Sequence, residues 1–359
     1  MPQHWHTKRR GTIIALVLCL TLLLLLACLI VPGVWPTHFH KSFSARSWRT
    51  SLSLEEQIRS VKRRAGDLRD TLEAEEQAMF EQIDIDLEPY RKGITLEMVE
   101  QAYCACRLGG FRFQAIDNEL YVAGEVHAPQ SRHESIKRQL LDLMRTDGYL
   151  PDVDIYFAGM DLPENCTIEE MPAKCSKRGP HFQQNKRREH DWVILHPDST
   201  FGGWPEVKIS TWTETQQLMG ASANQHHWQD RTPKLFFAGA NLGFQRRNFS
   251  FVDWTQYPEM DVRWVNWFDP TTLLPLHDFC QFRHLLHMDG CAWSSRLKYL
   301  FLCKSAVVFP ESPYIEFWYR ALTPGRNILS VPEIRSKEDA VQVLHAAQRL
   351  LKDGELGRR

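Results

Sequence analysis

The sequence lacks an excess of charge of either sign, and past its N-terminal segment it has no internal repeat and no low-complexity tract. Its 359 residues include 43 Lys and Arg against 44 Asp and Glu, a formal net charge of −1. Proteins that hold nucleic acid by its phosphates carry a basic surface, so this balance gives no support for a nucleic-acid partner. An apolar content of 43% with this length indicates a globular chain with room for two ordinary domains.

Charged side chains are missing from Gly11 to Thr37, and Leu, Ile, Val, Ala and Cys dominate Thr12 to Val31. Roughly twenty apolar residues in a helix span the hydrocarbon core of a bilayer. A cleavable signal sequence is the alternative, but its apolar part is usually about 7–15 residues long, and no clear small-x-small cleavage site follows this segment. The sequence therefore predicts a cytoplasmic tail over residues 1–10 and a retained transmembrane anchor over residues 11–34.

The orientation of this anchor does not follow from charge, because the basic residues on its two sides nearly balance. They are Lys8, Arg9 and Arg10 before it and Lys41, Arg46 and Arg49 after it. The tail is too short to fold, and the body carries two glycosylation sequons, Asn165-Cys166-Thr167 and Asn248-Phe249-Ser250. These features favour a single-pass type II protein of the Golgi or endoplasmic reticulum with a lumenal body. No KDEL-like signal is present, so anchoring is expected to retain it.

The cysteine spacings do not match a zinc site. Cys19 and Cys28 lie inside the apolar segment. The remaining seven, an odd number, are Cys104, Cys106, Cys166, Cys175, Cys280, Cys291 and Cys303. In an oxidising lumen some of these are expected to pair, with Cys166 and Cys175 as a local pair, and at least one thiol is expected to stay free.

Residues 35–94 are predicted to form a stem that contains an amphipathic helix. Apolar residues recur there at spacings of four and three, with charged residues between them. They are Leu54, Ile58, Val61, Ala65, Leu68 and Leu72. A helix laid against the protein's own body is the favoured interpretation. A parallel coiled coil that makes a homodimer is the alternative, although three heptads are few for one.

From Thr95 onward, predicted strands alternate with predicted helices. The elements are a hairpin over Arg112–Val122, a helix from the capping box Ser131-x-x-Glu134 to about Thr146, strands at Val153–Phe157, Trp192–Leu195, Leu235–Phe237, Phe282–Met288 and Ala306–Phe309, and a final helix from the cap Ser336-x-x-Asp339 to near Gly354. This alternation predicts an α/β fold whose parallel sheets are covered on both faces. Ligands of such folds bind beyond the carboxyl ends of the strands.

Ser294, Ser295 and Arg296 lie where a predicted strand gives way to a helix that is expected to begin near Ser294. The unpaired N–H groups of a helix start, two hydroxyls and a guanidinium together suit a phosphate or diphosphate. An ordinary serine-capped helix with a solvated arginine is the alternative.

A second candidate phosphate loop is the small-residue turn Ala238-Gly239-Ala240-Asn241, with Arg246 and Arg247 downstream. Taken alone it also fits a plain surface loop. Since both candidate loops follow strands in the C-terminal half, together they favour an anionic nucleotide there.

Asp161 is the candidate catalytic residue, because it follows the Val153–Phe157 strand and precedes Pro163. A carboxylate in that place can act as a general base towards a hydroxyl. A turn-forming aspartate is the alternative.

Four short patterns are interpreted as structural rather than metal-binding. They are Asp152-x-Asp154, Asp84-x-Asp86, His226-His227 and His284-x-x-His287. The first aspartate pair enters a strand, where its side chains diverge, and the second lies in the predicted stem. No metal site is predicted.

The segment Asp289-Gly290-Cys291-Ala292-Trp293-Ser294-Ser295-Arg296-Leu297-Lys298 resembles the signature of glycosyltransferase family 90. This is the capsule-associated-protein (CAP10) family, which includes the Rumi-type protein O-glucosyltransferases. Further segments resemble that family in the same order: Pro151–Pro163, Phe201–Ile209, Glu316–Tyr319, Pro324 and Ile328–Val331. The likeness runs from roughly Tyr103 to the end, and Phe201–Ile209 is most similar to plant-like or alga-like members.

The resemblance implies a GT-B architecture of two Rossmann-like halves, here residues 95–230 for the acceptor and 231–359 for a UDP-sugar. It implies inverting transfer without a required metal cofactor. Asp161 then deprotonates the acceptor hydroxyl, and Ser294, Ser295 and Arg296 bind the diphosphate with help from the helix dipole. The other donor-site residues that it implies are Gly239, Arg246, Arg247, Asp289, Gly290, Ala292 and Trp293.

The sequence departs from the family pattern in three places. Ala238 stands where many members have an arginine, so either Arg246 or Arg247 replaces that cation or activity is weakened. Gly202 replaces the first tryptophan of the family's F-W-G-W segment, and the chain stops at Arg359 soon after the last helix, as a short form or a truncated one. The expected function is transfer of glucose, xylose or a related sugar from a UDP donor to a hydroxyl of a protein or glycan. The alternative is a membrane-anchored binding relative with weak or no catalysis.

Overall fold

The computed structural model describes residues 74–105, 109–123, 130–147, 150, 152–161, 179–205, 208–266 and 268–352. The expected cytoplasmic tail, anchor and heptad-like stripe lie outside these residues, as do the Asn165 sequon and the Cys166–Cys175 pair. None of the helices in the described ranges is long and apolar enough to cross a bilayer.

The described chain forms two compact units. The first takes the described residues up to Gln184 together with His190–Pro197, and the second takes Asn185–Glu189 and the described residues from Asp198 onward. The second unit therefore begins earlier in the chain than the boundary at residue 231 suggested by the sequence.

Helices and strands alternate through both units, as the sequence predicted. The helices are α1 (Ala74–Leu87), α2 (Leu96–Ala105), α3 (Gln130–Asp147), α4 (Trp212–Gln225), α5 (Phe244–Phe249), α6 (Leu297–Leu302) and α7 (Lys337–Lys352). The strands are β1 (Gly110–Ile116), β2 (Glu119–Ala123), β3 (Val153–Ala158), β4 (His181–Gln183), β5 (Lys186–Arg187), β6 (Val193–Leu195), β7 (Thr232–Gly239), β8 (Met260–Trp264), β9 (Phe282–Leu286), β10 (Ala306–Pro310), β11 (Tyr314–Ile315) and β12 (Leu329–Val331).

The sheet of the first unit has the order β2-β1-β3-β4-β6 and is mixed. β1 pairs antiparallel with both β2 and β3, whereas β3–β4 and β4–β6 are parallel. The predicted parallel pairing is thus present in β3, β4 and β6, and the predicted hairpin adds antiparallel pairing at β1. The β1–β2 hairpin turns through Asp117 and Asn118, both at positive φ (53° and 62°), and two strands joined by so short a turn must run antiparallel.

Helix α1 falls in the range assigned to the stem, but it packs against β6 as part of the first unit. Asp86 Oδ2 accepts a hydrogen bond of 2.8 Å from the backbone N–H of Leu195, and Asp86 Oδ1 accepts one of 2.7 Å from Gln82 Nε2. Asp86 is thus a buried anchor between helix and sheet, which agrees with the structural interpretation of Asp84-x-Asp86.

The sheet of the second unit has the order β12-β10-β9-β7-β8, and every pair in it is parallel. From β7 the chain first adds β8 on one side and then returns to add β9, β10 and β12 on the other. The direction of winding therefore reverses between β7 and β9, which is the topological switch point where open α/β sheets bind ligands.

Alternating side chains of β7 enter two cores, one on each face of this sheet. Leu235 and Phe237 join a buried cluster with residues of α7 such as Val343. Phe236 points the other way and stacks on Phe282, with ring centroids 4.0 Å apart and an angle of 9° between the planes. The sheet is therefore covered on both faces, as the sequence predicted.

Two helix starts in the second unit show what local sequence could predict. Asp339 N donates to Ser336 Oγ at 3.2 Å, so the predicted cap of α7 is confirmed. Helix α4 was not predicted, although Thr211 and Glu214 form a capping box at its start. It packs against α6 and the 3-10 turn Leu276–Gln281, which is why the second unit begins before residue 231.

A disulfide joins Cys280 to Cys303, with their Cα atoms 4.6 Å apart. Both residues are fully buried, and no local spacing in the sequence indicated this pairing. Among the described cysteines Cys291 is a free, exposed thiol, which confirms the expectation that at least one cysteine stays unpaired.

Candidate active site

The candidate donor residues lie past the carboxyl ends of two neighbouring strands. β7 ends at Gly239 and β9 ends at Leu286, and the segments that follow, residues 240–243 and 287–296, extend beyond the same edge of the sheet. These two strands flank the switch point, so the position of the candidates agrees with the general rule for ligand sites in α/β sheets.

Arg246 reaches this edge from the first turns of α5. Its Nη1 donates to the carbonyl of Ala240 at 3.2 Å and its Nη2 to the carbonyl of Met288 at 3.0 Å. The guanidinium lies 5.7 Å from the centroid of the Phe237 ring. Burial, opposed in part by Asp289, lowers the pKa of Arg246 to about 10.

Arg296 approaches the same place from the segment after β9. Its Nη1 donates to the carbonyl of Ala238, and its guanidinium lies over the rings of Phe237 and Phe279, at 5.1 and 5.8 Å from their centroids. Burial and the charge of Arg246 lower the pKa of Arg296 to about 9. Both arginines are therefore cationic at neutral pH although they are desolvated.

The two guanidiniums converge on Gly239. A Cβ atom added to this glycine would lie 3.3 Å from Nη1 of Arg296 and 3.4 Å from Nη1 of Arg246. Three nitrogens of the pair, Nε and Nη2 of Arg296 and Nε of Arg246, are buried without a hydrogen-bond partner among the described residues. Two like charges with unused donors in a desolvated site fit an anion that accepts from both.

Gly243 locks the two loops together. Its φ is 86°, and a Cβ atom there would overlap the carbonyl group of Gly290. On the other side of this contact the N–H of Gly290 donates to the carbonyl of Trp293 at 3.2 Å, which closes a turn in which Ala292 and Trp293 are buried. Gly290, Ala292 and Trp293 thus shape the loop from within.

Asp289 connects loops through one carboxylate oxygen, Oδ2, while its Oδ1 is buried without a hydrogen-bond partner among the described residues. Its Oδ2 accepts from Ser312 Oγ at 2.6 Å and from Gln245 Nε2 at 3.5 Å, and Gln245 Nε2 also donates to the carbonyl of Glu311 at 2.8 Å. Burial, opposed by Ser312 and Arg246, raises the pKa of Asp289 to about 7. The residue therefore connects β9, α5 and the segment after β10.

The helix predicted to begin near Ser294 begins later, at Leu297, and has only six residues. Ser295 and Arg296 form a turn before it, and Arg296 rather than a serine occupies the N-cap position. The helix start expected near Ser294, with its dipole aimed at a phosphate from there, is therefore wrong. The alternative of a serine-capped helix with a solvated arginine is wrong too, because Arg296 is the N-cap residue and its Nε and Nη2 are buried. A helix shorter than two turns has a small dipole, so the guanidinium of Arg296 is the main source of positive charge.

Lys298 holds the Ser294–Arg296 segment from below, a role that sequence reasoning missed. Its Nζ donates to Asp198 Oδ2 at 2.6 Å, to Thr200 Oγ1 at 2.7 Å and to the carbonyl of Ser295 at 2.7 Å. The side chains of Lys298 and Asp198 are 5% and 0% exposed. Lys298 thereby joins the end of the family signature to the turn before Phe201, the start of another family-like segment.

A second carboxylate, Glu316, lies close to this buried pair. Burial and the charge of Asp198 raise the pKa of Glu316 to about 8, and Lys298 opposes the shift. Burial beside the Lys298–Asp198 pair therefore favours the protonated form of Glu316. One feature of the sequence could have indicated this buried group. Lys298 is a charged residue inside the otherwise apolar run from Leu297 to Leu302.

His287 is the other residue that sequence reasoning assigned only to the core. It is buried and stacks on Phe309 with ring centroids 5.3 Å apart, which confirms the core placement. Both of its ring nitrogens lack a hydrogen-bond partner in the described part of the chain. Burial first, and then the charges of Arg296 and Arg246, hold the pKa of His287 well below its usual value. A neutral imidazole beside the two arginines offers one further N–H donor.

Arg247 is not brought to this cluster. It is exposed on α5, whereas Arg246 is buried, because successive residues of a helix point about 100° apart. The structure therefore places Gly239, Arg246, Arg296, Ser294 and Ser295 at the edge of the sheet and leaves Arg247 at the surface.

Asp161 belongs to the first unit and lies past the carboxyl end of β3. Its Oδ1 accepts from Nη2 of Arg132 at 2.5 Å, and Nη1 of the same arginine donates to the carbonyl of Gly159 at 2.6 Å. Gln183 at the end of β4 donates to the carbonyl of Met160 at 2.9 Å. Side chains from α3 and β4 thus fix the segment that presents this partly exposed carboxylate.

The aspartates of Asp152-x-Asp154 diverge, as the sequence predicted. Asp154 Oδ1 accepts from Arg112 Nε at 2.6 Å and Asp154 Oδ2 from Gln114 Nε2 at 2.7 Å, both on β1. Asp152 Oδ1 instead accepts from the N–H of Asp117 in the hairpin turn at 2.9 Å.

The comparison with known families agrees with this arrangement. The family model described as Glycosyl transferase family 90 matches residues 73–354, which is most of the chain. The chain belongs to this family. The resemblance drawn from the signature segment is thereby confirmed, and the matched range contains both Asp161 and the two arginines.

The chain is similar to several curated proteins at 26–28% sequence identity. The chain is 26% identical over 277 residues to "O-glucosyltransferase rumi" of Drosophila melanogaster, which is 72% of this chain and 64% of that protein. It is 27% identical over 286 residues to "Protein O-glucosyltransferase 1" of Bos taurus, 74% of this chain and 69% of that protein. It is 28% identical over 279 residues to "O-glucosyltransferase rumi homolog" of Anopheles gambiae, 72% and 65%. The match thus spans about two thirds of these relatives' length.

Proposed function

We propose that this chain is an inverting glycosyltransferase that moves a sugar, with glucose and xylose as the first candidates, from a UDP-sugar to a hydroxyl of a protein or glycan. Membership of glycosyl transferase family 90 supports sugar transfer, and the names of the relatives refer to glucose and to protein acceptors. The observation that carries the donor assignment is the convergence of Arg246 and Arg296 on Gly239 at the switch point.

In this proposal the diphosphate of the donor lies between the two guanidiniums. Gly239 suits such a role because a side chain there would fill the space beside both Nη1 atoms. Charge that develops on the departing diphosphate is stabilised by donors that are already in place and desolvated. His287 adds an N–H to the same anion. No metal ion is needed, since the arginines supply the positive charge.

Arg246 can also replace the positive charge that many family members supply from an arginine at the position of Ala238. Ala238 is buried in β7, and its carbonyl accepts from Arg296. Arg246 brings a second cation to the adjacent Gly239 from α5. This arrangement supports an active transferase over the alternative of a relative that binds sugar without turnover.

The acceptor side of the proposal assigns Asp161 as the general base. As the acceptor oxygen attacks the anomeric carbon, its proton passes to Asp161 and the bond from that carbon to the diphosphate oxygen breaks, so UDP leaves with the electron pair. Attack opposite the leaving group inverts the anomeric centre. Arg132 donates to Oδ1 of Asp161 and thereby orients its carboxylate.

The lumen of the Golgi or endoplasmic reticulum is the proposed compartment. The Cys280–Cys303 disulfide supports it, because such bonds persist in oxidising compartments. The apolar segment from Gly11 supports attachment as a type II membrane protein.

The test is UDP release from UDP-glucose, UDP-xylose and UDP-galactose by the full chain and by Asp161→Asn. We expect one donor to be preferred and the variant to lose roughly 10²–10⁴-fold in turnover, the usual contribution of a general base. UDP alone should raise the melting temperature of both proteins equally, because the substitution leaves the donor site intact.

Two results would contradict the proposal. Undiminished turnover by Asp161→Asn would remove the base. Thermal stabilisation by UDP without turnover of any sugar in the panel, with protein and glycan acceptors present, would favour the binding relative.

A further inference from the structure

The outward face of α5 is unusually apolar for a surface helix. Phe244 is 61% exposed and Phe251, just past the helix, is 65% exposed. The backbone continues in helical hydrogen bonding through this point, with Ser250 N donating to Arg246 O at 2.9 Å and Phe251 N to Asn248 O at 3.3 Å. Two neighbouring exposed aromatic rings on a soluble surface usually mark a place that something covers.

The spacing of Asn248 from the two phenylalanines puts it between them on the same face. The positions 244, 248 and 251 follow the i, i+4, i+7 spacing that places side chains along one side of a helix. Asn248 is half-buried, and its Nδ2 donates to the carbonyl of Phe244 at 3.1 Å. Phe249, the next residue, points inward and is fully buried.

Asn248-Phe249-Ser250 is also one of the two glycosylation sequons of the chain. A sequon alone occurs often by chance, but this one places its asparagine between the two exposed rings. The sequon thus indicates that an N-linked glycan is what covers the exposed apolar face.

We propose that Asn248 carries an N-linked glycan whose first sugars lie over Phe244 and Phe251. Sugar rings present C–H groups that pack on aromatic faces, while their hydroxyls stay in water. A glycan at this place therefore covers the two rings and makes this side of the protein soluble. Nothing in the proposed sugar-transfer reaction accounts for this face, so the inference is independent of that reaction.

The modification is chemically compatible with the contacts around Asn248. A polyprenyl-diphosphate-linked oligosaccharide is the donor, and an oligosaccharide transferase of the lumen is the catalyst. Nδ2 forms a bond to the anomeric carbon and loses one proton, and the bond from that carbon to the diphosphate breaks with its electron pair. The product amide keeps one N–H, which can still donate to the carbonyl of Phe244.

The order of events follows from Ser250. In the fold its hydroxyl donates to the carbonyl of Arg247 at 2.8 Å and accepts from Asn241 Nδ2 at 3.1 Å. Since the sequon hydroxyl is engaged and the helix is formed, glycan transfer must precede folding of this segment. Asn241 then ties the finished sequon to the loop after β7.

The test is expression of the full chain in a eukaryotic secretory host, with peptide mapping after enzymatic glycan release in water labelled with heavy oxygen. We expect conversion of Asn248 to labelled aspartate. Asn248→Gln and Ser250→Ala should each remove one glycan, whereas Ser250→Thr, which preserves the sequon, should retain it. Asn165 serves as the internal reference for exposure to the transferase.

An unmodified Asn248 overturns the inference, whether or not Asn165 is modified; a modified Asn165 shows in addition that the chain reached the lumen. Covering of the rings is tested separately with a hydrophobic dye. Glycan release should raise dye binding in the parent protein but not in Phe244→Ser/Phe251→Ser. Leu218→Ser, which removes a side chain that is 52% exposed on α4, should leave the increase unchanged. An equal increase in all three proteins contradicts the covering role.

Discussion

Two groups of buried cations in the second unit are satisfied in opposite ways. Lys298 uses all three of its N–H donors, on Asp198, Thr200 and the carbonyl of Ser295. Arg246 and Arg296 bond to backbone carbonyls only and retain three buried nitrogens without a partner in the described chain. The first group is complete as it stands, while the second has both charge and donors to offer.

Under the proposed function, this difference separates a structural cation from the two cations that bind the ligand. A buried charge that is paired and fully hydrogen-bonded holds the fold in one arrangement, and removing its partner is costly. Two desolvated guanidiniums side by side carry an electrostatic cost that an anion relieves, so they are better suited to binding than to stability. Lys298 fixes the segment before α6, and this segment positions Arg296.

The largest effect is expected at the structural cation. Lys298→Met leaves Asp198 buried and uncompensated, which should lower the free energy of unfolding by about 3–5 kcal/mol. The double variant Asp198→Asn/Lys298→Met removes both charges and should recover most of this loss. Urea denaturation measures the free energy of unfolding of both variants. In both of them the carbonyl of Ser295 loses the hydrogen bond from Lys298.

The same double variant sharpens the comparison through UDP binding. Lys298 no longer holds the carbonyl of Ser295 in this variant. The affinity of the double variant for UDP should therefore remain reduced although its fold is stable. A double variant that regains stability and binds UDP as well as the parent protein would remove Lys298 from the positioning of Arg296.

The next effect is expected at the ligand cations. Arg296→Met should lower kcat/KM for the UDP-sugar by about 10²–10³-fold, the usual loss when one preorganised donor to a developing anion is removed. Its free energy of unfolding should not fall, because a desolvated like-charge contact with Arg246 disappears. Arg247→Met, an exposed change next to Arg246, is the matched control and should leave kcat/KM nearly unchanged. A marked loss of stability in Arg296→Met would place Arg296 with the structural cations.

The smallest effect, when it is taken over a single pH unit, concerns Glu316. Burial raises the pKa of this carboxyl to about 8, above the value of about 4.5 that it has when unfolded. Its stabilising contribution is therefore complete below pH 4.5 and is lost as pH rises towards 8, with a slope of about 1.4 kcal/mol per pH unit. In Glu316→Gln this term is absent, so the variant should gain on the parent protein from pH 5 to 8 in unfolding experiments. Parallel stability curves for the two proteins would show that Glu316 is ionised in the folded state.

The sequence predicted those features of the second unit that depend on local pattern. The apolar runs predicted β7, β9 and β10, and Ser336-x-x-Asp339 predicted the start of α7. The family signature located the segment that carries Arg296. Each of these signals lies within a few residues of the chain, so no tertiary contact is needed to read it.

Long-range pairing accounts for most of what the sequence did not show. Lys298 and Asp198 are 100 residues apart, and nothing local connects them. Whether Arg246 or Arg247 faces the sheet depends on where α5 begins, which the contact between Gly243 and Gly290 sets. The pairing of Cys280 with Cys303 likewise depends on their meeting in the folded chain.

That disulfide encloses β9, the turn at Gly290 and helix α6 in one covalent ring, whose two cysteines are 23 positions apart in the sequence. Closing a loop of this size restricts the unfolded chain and is worth about 3 kcal/mol in the entropic description. The disulfide therefore joins the chain before and after the segment that carries Arg296. A reducing agent should loosen the segment that carries Arg296, so the redox state of the compartment in which the chain folds bears directly on this part of the molecule.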